Sequence, residues 1–492
     1  MNTDKFIKEL PEDVNVLKQT IVNYHNEIKM LQEQIKLLQH RKFGKKSEQT
    51  NSPQLELFDE PEEILTPKAE EISIEVKSYT KKVTRNKSLP KTLPKKQINY
   101  DLRDEDKKCA CGDELRKFGE DKYEQLEYIP AQINVIEHIK SKYSCKSCET
   151  VKTATMPKQP LPKSIASPSL LAQIITSKYV DHLPLYRQES IFSRIGIDLQ
   201  RSTVASWIFK CANLLSPLVE ILKKEIVSSN YVKADETTVN VLSEEAAINY
   251  MWVFMANMHN KPIVVFEYHS SRCAKAAEDF LKDFAGYLQT DGYSGYTQLK
   301  KDNVIVGLGC LAHARRKFFE ITKAVKSAGA AHIGLKYIND LYKIEKDAKE
   351  KKLTFSELKI IRDKKSKPIL LEFKFWLEKT ISRVLPKSAL YKAVHYSLNN
   401  WQELSNYCLE GYLEIDNNSI ERMIKPFACG RKNWMFSGNT KGAKASAILY
   451  SLIQTCKLNN VDPFKYLKAT LIAIPNINSE KELANLLPQN YT

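Results

Sequence analysis

YVKADETTVNVL, residues 231–242, is rich in β-branched residues, with apolar side chains at Val232 and Ala234 and again at Val239 and Val241. A spacing of two in such a run predicts a strand with one buried face. The next two runs, NYMWVFMANM (249–258) and KPIVVFEYHS (261–270), read the same way. Downstream, RCAKAAEDFLKDF (272–284) predicts a helix, and GYLQTD (286–291) and NVIVGLGC (303–310) predict two further strands.

The resulting order, β-β-β-α-β-α-β, is an antiparallel meander followed by βα units, the element order of the ribonuclease H fold. In that fold the first and fourth strands lie side by side and parallel. Asp235 and Asp291 would then emerge from neighbouring strands, about 4.8 Å apart in the pairing direction. Two carboxylates so placed repel each other unless a cation sits between them, and Mg²⁺ suits all-oxygen ligands. The bland alternative for Asp291 is a turn aspartate, since Asp-Gly is an ordinary turn dipeptide.

A third carboxylate comes from DNNSIERMIKPFACGRKNWMFSG, residues 416–438. Asn417 and Asn418 are candidate caps, and Ile420, Met423, Ile424 and Phe427 make one apolar helix face with Glu421 off it. Lys425, Arg431, Lys432, Lys441 and Lys444 follow, with no acidic residue from 425 to 444. Such a surface suits a polyanion. Alternatively, Glu421 is only the return arm of a capping box, three residues after Asn418.

The whole chain of 492 residues carries a formal net charge of +16, which favours nucleic acid as a partner. No apolar segment reads as a signal peptide or a membrane span, so a cytoplasmic protein without membrane contact is expected. Residues 1–50 carry Val14, Ile21, Ile28 and Ile35 seven apart, with Leu17, Tyr24, Leu31 and Leu38 at matching positions. This is a coiled-coil heptad that predicts a homodimer or higher oligomer, unless the stripe packs on the same chain. Residues 51–105, acidic and then basic, read as a flexible linker.

In a module spanning 106–155, Cys109 and Cys111 pair with Cys145 and Cys148 as the ligands of a structural Zn²⁺. The stretch EQLEYIPAQINVIEHIKSKY (124–143) reads as two strands joining the pairs, and His138 is an alternative ligand. Residues 165–225 read as a helical, helix-turn-helix-like block: a helix near Leu185–Arg194, a turn at Gly196, and a second helix capped by Ser202. On that helix Val204, Trp207, Ile208 and Cys211 face one way. Thr203, Ser206 and Lys210 face the other, as candidate DNA contacts beside Lys425, Arg431 and Lys432. A catalytic domain over 229–450 contains a helical insertion at about 327–410, and 451–492 is a helical tail. The fold class expected is therefore multidomain α+β: coiled coil, zinc-binding β module, helix-turn-helix block and ribonuclease H-like α/β domain.

Taken together, the heptads followed by RKFGKKSE, the cysteine pairs, SKYVDHLPLYRQ, ADET, QTDGYSGY, CLAHARRKF and DNNSIERMIKPFACGRKNWMFSG resemble the insertion-sequence-66 family of bacterial DDE transposases across nearly the whole chain. The resemblance implies that Asp235, Asp291 and Glu421 are a catalytic triad holding two Mg²⁺. It also implies cleavage at the element's terminal inverted repeats and attack of the freed 3′-OH on target DNA. Cys310 and His313 would match a C-x-x-H element of such families. Small co-encoded accessory proteins and work at a bacterial nucleoid are further implications. Two other readings compete: a non-catalytic zinc-containing DNA-binding regulator, and an oxidoreductase suggested by Gly307-x-Gly309-x-x-Ala312 after NVIV.

Overall fold

The computed structural model describes residues 13–43, 133–144, 151–244, 248–258, 261–300, 304–324 and 329–491. They divide between two units, one of residues 1–46 with 156–492 and a smaller one of residues 47–155.

The heptad stretch forms helix α1, Val14–Phe43. Its seam is not covered: Val14, Ile21, Ile28 and Ile35 are each more than half exposed. In the smaller unit, β1 (Lys142–Ser144) pairs antiparallel with β2 (Val151–Thr153). Residues 133–141, expected to be strand, have no regular structure, and Val135, Ile136, His138 and Ile139 are exposed. Alternating apolar residues hold a strand only where a sheet or core receives one face. Cys109, Cys111, Cys145 and Cys148 lie outside the described residues, as does the linker expected at 51–105.

In the larger unit, α2 (Pro168–Tyr179), α3 (Leu185–Arg194) and α4 (Arg201–Val227) follow each other closely, with Gly196 at φ +80° in the turn between the last two. Ser202 is not the cap of α4. The helix begins one residue earlier, and the Glu189 carboxylate of α3 accepts the Arg201 N–H at 3.1 Å, serving an otherwise orphan donor. Helix α4 is long and apolar enough to cross a membrane by composition, yet it is a core helix: Cys211, Leu215, Leu218, Leu222 and Ile226 are fully buried.

The meander is β3 (Tyr231–Val239), β4 (Asn249–Met258) and β5 (Lys261–His269). After α5 (Ala274–Phe280) come β6 (Gly286–Gln289) and β7 (Ile305–Leu308). The sheet order is β5-β4-β3-β6-β7, with β3, β4 and β5 antiparallel and β6 parallel to both β3 and β7. First and fourth strands are thus parallel neighbours, as expected. The helix expected between β6 and β7 is instead two 3-10 turns, Ser294–Tyr296 and Gln298–Lys300. GYSGYTQLK has two glycines and too few residues for a crossover helix of useful length.

Strand β5 is a sheet edge, and its free backbone groups are served by a helix. Ser451, Thr455 and Asn459, four apart along and just beyond the helix Thr440–Leu458, bond to the Phe266 N–H, the Val264 N–H and the Pro262 carbonyl at 2.8, 3.2 and 2.8 Å. Hydroxyls and an amide at helical spacing stand in for a sixth strand and remove an aggregation-prone edge.

Beyond β7, α6 (Leu311–Ala324) leads into α7 (Ala330–Glu350), α8 (Phe355–Ile361), a π turn (Arg362–Ser366), α9 (Lys367–Ile381), α10 (Ala389–Asn399) and α11 (Trp401–Ser405). These bury a second core that includes Phe318, Ile338, Leu341, Phe373, Leu377 and Val394. Helix α1 also approaches α6 while its heptad seam stays exposed. The chain returns through α12 (Asn418–Trp434), α13 (Thr440–Leu458), α14 (Pro463–Ala473) and α15 (Glu480–Asn485). The expected helical tail ends in α15, capped by Ser479, whose hydroxyl accepts the Glu482 N–H.

Candidate active site

The parallel pairing of β3 with β6 matches Tyr231 to Tyr287, Val232 to Leu288 and Lys233 to Gln289. Strand β6 ends at Gln289, and Asp291 follows in the bend two residues on, where the same offset would set it level with Asp235. The Asp235 carboxylate accepts the Glu236 N–H at 2.8 Å. Burial pushes its carboxyl well above the usual range, and the negative charges of Glu236, Asp291 and Glu421 push it the same way. Asp291 is held by a local turn: its Oδ1 accepts the Tyr293 N–H at 2.9 Å, and Gly292 takes φ +87°. Its carbonyl accepts the Tyr396 hydroxyl at 2.8 Å, so helix α10 of the insertion braces the turn.

Glu421 arrives from far along the chain, and two polar ties fasten its helix to β3. The Asn417 side chain donates to the Ala234 carbonyl at 3.2 Å. Lys233, almost completely buried, donates to the Ser419 hydroxyl and forms an ion pair with Glu414. The N-terminus of α12 is capped from outside, where Asp416 Oδ1 accepts the Asn418 N–H at 3.1 Å. Asn417 makes no side-chain cap bond, and Glu421 Oε1 is buried with no hydrogen-bond partner. The capping-box alternative therefore does not describe Glu421.

Around that carboxylate lie His313 Nδ1 and an Arg316 guanidinium nitrogen, both at 3.8 Å. His313 is held below its ordinary pKa, chiefly by burial and also by Arg316, against the opposing pull of Glu421. Cys310 is fully buried; its sulfur accepts the Asn417 N–H at 3.2 Å, and burial pushes the thiol up to about 12. One donor atom each of Cys310, His313 and Glu421 lies within 4.8 Å of the other two, the one such group among the described residues. Asp235, Asp291 and Glu421 are near enough for Asp235 to feel both other charges but do not close to that distance. Concentrated negative charge plus an orphan carboxylate oxygen nevertheless fits a cation.

Two contributors escaped sequence reasoning. Glu236, next to Asp235, is clamped by the Arg272 guanidinium and accepts the Tyr296 hydroxyl at 3.0 Å, while Arg272 lies 3.8 Å from the centroid of the Tyr293 ring. The doubled acid in ADET was the available signal. Tyr396 gave none. Tyr396→Phe removes one hydrogen bond beneath Asp291, so a stability loss of about 1 kcal/mol is expected. Denaturant unfolding of the variant beside the wild type would check it.

The glycines of the oxidoreductase reading face protein instead of an open phosphate cradle. A Cβ on Gly307 would lie 3.0 Å from Glu403 Oε1, and one on Gly309 would lie 2.9 Å from Leu404 Cδ2. Thr203 and Lys210 are exposed on α4 and Ser206 is half-buried, with Val204, Trp207, Ile208 and Cys211 buried behind them. Lys425 and Lys432 are exposed on α12. Arg431 instead bonds Thr237 Oγ1 at 3.2 Å, Thr238 Oγ1 at 2.7 Å and the Thr238 carbonyl, fastening α12 to the end of β3.

Comparison with known proteins gives four family matches: Transposase IS66 family over 163–445, zinc-finger binding domain of transposase IS66 over 106–149, IS66 C-terminal element over 451–489, and Transposase C of IS166 homeodomain over 30–98. All four proposed zinc ligands fall within the second. Three similar proteins of Sinorhizobium fredii are named Uncharacterized protein y4jD, y4qI and y4hP. The first is 34% identical over 82% of this chain and 81% of its own length. The others are 30% and 28% identical over 93% and 94% of this chain and 88% of theirs.

Proposed function

This chain belongs to the IS66 family of transposases, and from that premise we propose that it is a DDE-type enzyme acting through Asp235, Asp291 and Glu421. The supporting observation is that Asp235, in the middle of β3, feels the charges of both Asp291, just past the end of β6, and Glu421, from the first turn of α12. The sheet order supports the ribonuclease H-like reading of the domain.

Asp235, Asp291 and Glu421 would hold two Mg²⁺, which when bound supply Lewis-acid activation of water and of the scissile phosphate. The chain's own residues do the rest. The Asx turn at Asp291 and the braces from Tyr396, Asn417 and Lys233 preset the carboxylates, so little ordering is left for the moment of reaction. Lys425 and Lys432 would contact the phosphates of the element's ends, and Thr203, Ser206 and Lys210 of α4 would present a second DNA face. The products are a nicked element end and, after attack by its 3′-OH, a joined target strand. Cleavage of the DNA flanking the gene, with and without Mg²⁺, tests substrate and chemistry together. Metal-independent cutting, or tight binding with no cutting, would sink the reading, the latter in favour of a DNA-binding regulator.

Cys109, Cys111, Cys145 and Cys148 would hold a structural Zn²⁺. The exposed seam of α1 would pair copies of the chain as a homodimer or higher oligomer. Ile28→Asp, which puts a charge in that seam, is expected to convert the full-length protein to monomer in sedimentation; an unchanged mass would mean that copies associate elsewhere. Small accessory proteins at the DNA ends and a place at the bacterial nucleoid complete the proposal.

A further inference from the structure

At the edge of the carboxylate cluster, three donors of mixed character point into one small space. The Cys310 sulfur is fully buried at the start of α6, His313 sits one turn on, and Glu421 comes from the first turn of α12. Their donor atoms lie within 4.8 Å of one another. His313 Nδ1 and Glu421 Oε1 are both buried without a hydrogen-bond partner, although they are 3.8 Å apart. That separation is too long for a hydrogen bond. A tetrahedral zinc with bonds of about 2.0–2.3 Å holds its ligand atoms roughly 3.3–3.8 Å apart. Two orphan atoms at that spacing, with a sulfur beside them, are what a shared ion would satisfy.

The donor chemistry chooses the ion. A thiolate and an imidazole are poor ligands for Mg²⁺ and good ones for Zn²⁺ or Co²⁺, and one sulfur, one nitrogen and one carboxylate oxygen leave a fourth position open. The Asn417 N–H that bonds the Cys310 sulfur fixes that side of the site. It belongs to the residue whose side chain ties α12 to β3. We propose that Cys310, His313 and Glu421 form a binding site for a Zn²⁺-class metal, separate from the cysteine module and sharing Glu421 with the carboxylate set. The sharing rests on the reading of Glu421 given above; the metal site itself does not. A borderline metal bound here would help orient the carboxylate of Glu421.

Full-length protein loaded with Zn²⁺ and freed of loosely held metal should carry about one more equivalent per chain than Cys310→Ser or His313→Ala. Cys145→Ser should lose a different equivalent. With Co²⁺ as the probe, the wild-type sulfur-to-metal absorption should fall in Cys310→Ser by one thiolate's share. His313→Ala provides a second variant should Cys310→Ser fold poorly. Equal metal content in wild type and both variants, with an unchanged Co²⁺ spectrum, would overturn the site. Asp291→Asn separates the two readings: it should lose cleavage and keep this metal equivalent. If it keeps cleavage as well, the triad falls while the metal site stands.

Discussion

Asp291→Asn is expected to make DNA cleavage in Mg²⁺ undetectable while leaving DNA binding intact. The substitution is nearly isosteric, and its amide oxygen can still accept the Tyr293 N–H that shapes the turn. The fold therefore has no reason to change. Under the proposed chemistry, what disappears is one anionic ligand from a hard-metal set, and hard cations depend on that charge. The proposed DNA contacts are Lys and Arg side chains elsewhere, so affinity measured without metal should hold, or tighten slightly as a negative charge leaves the neighbourhood of a phosphate. Glu421→Gln should behave alike, since Glu421 makes no capping bond for Gln to preserve. Near wild-type cleavage by either folded variant would show that the triad is misassigned.

Arg362→Ala is expected to cause the largest loss of stability of any single substitution in the insertion. Its guanidinium, 1% exposed, meets Glu345 through two parallel bonds of 2.9 and 2.7 Å and donates to the carbonyls of Tyr407, Glu410 and Leu413 at 2.7, 2.6 and 2.9 Å. All five N–H donors are in use. Truncation leaves a partly buried carboxylate and three carbonyls without their partner, and breaking a buried pair in this way costs about 3–5 kcal/mol. Lysine, with three donors on one atom, should recover only part of it. The insertion carries Tyr396, so under the proposed chemistry cleavage should weaken with stability. Denaturant unfolding alongside limited proteolysis of residues 330–410 would read the effect. A loss below about 1 kcal/mol would mean that the packing of the second core, and not this hub, holds the insertion together.

What could be read from the residues follows their range of action. Runs such as NYMWVFMANM declare a strand because their own composition fixes it, and the five strands and the parallel pairing of β3 with β6 follow from short segments. Capping was less legible. Ser202 and Asn417 look like caps, but Glu189 and Asp416 serve those helices, because a neighbouring carboxylate outcompetes the local side chain. The element order predicts a helix after β6, but Gly292 and Gly295 favour turns, and two 3-10 turns form there. Arg362, Tyr396 and the meeting of Glu421 with His313 were invisible, since each joins residues that only the folded chain brings together.

The ties from Ala234 to Asn417 and from Lys233 to Ser419 span more than 180 positions of sequence. Synthesis runs from the N-terminus, so the meander and β6 leave the ribosome long before α12 does. A nascent chain thus presents the β3 aspartate and its β6 neighbour with the third acid still unmade, and Lys233 without its Ser419 partner. Contacts this distant form late in folding as well. Under the proposed chemistry, a chain that is unfinished, or cut short within the insertion, keeps the DNA face of α4 but lacks both Glu421 and the lysines of α12, and the enzyme gains its cutting power only when its last quarter has been made and docked.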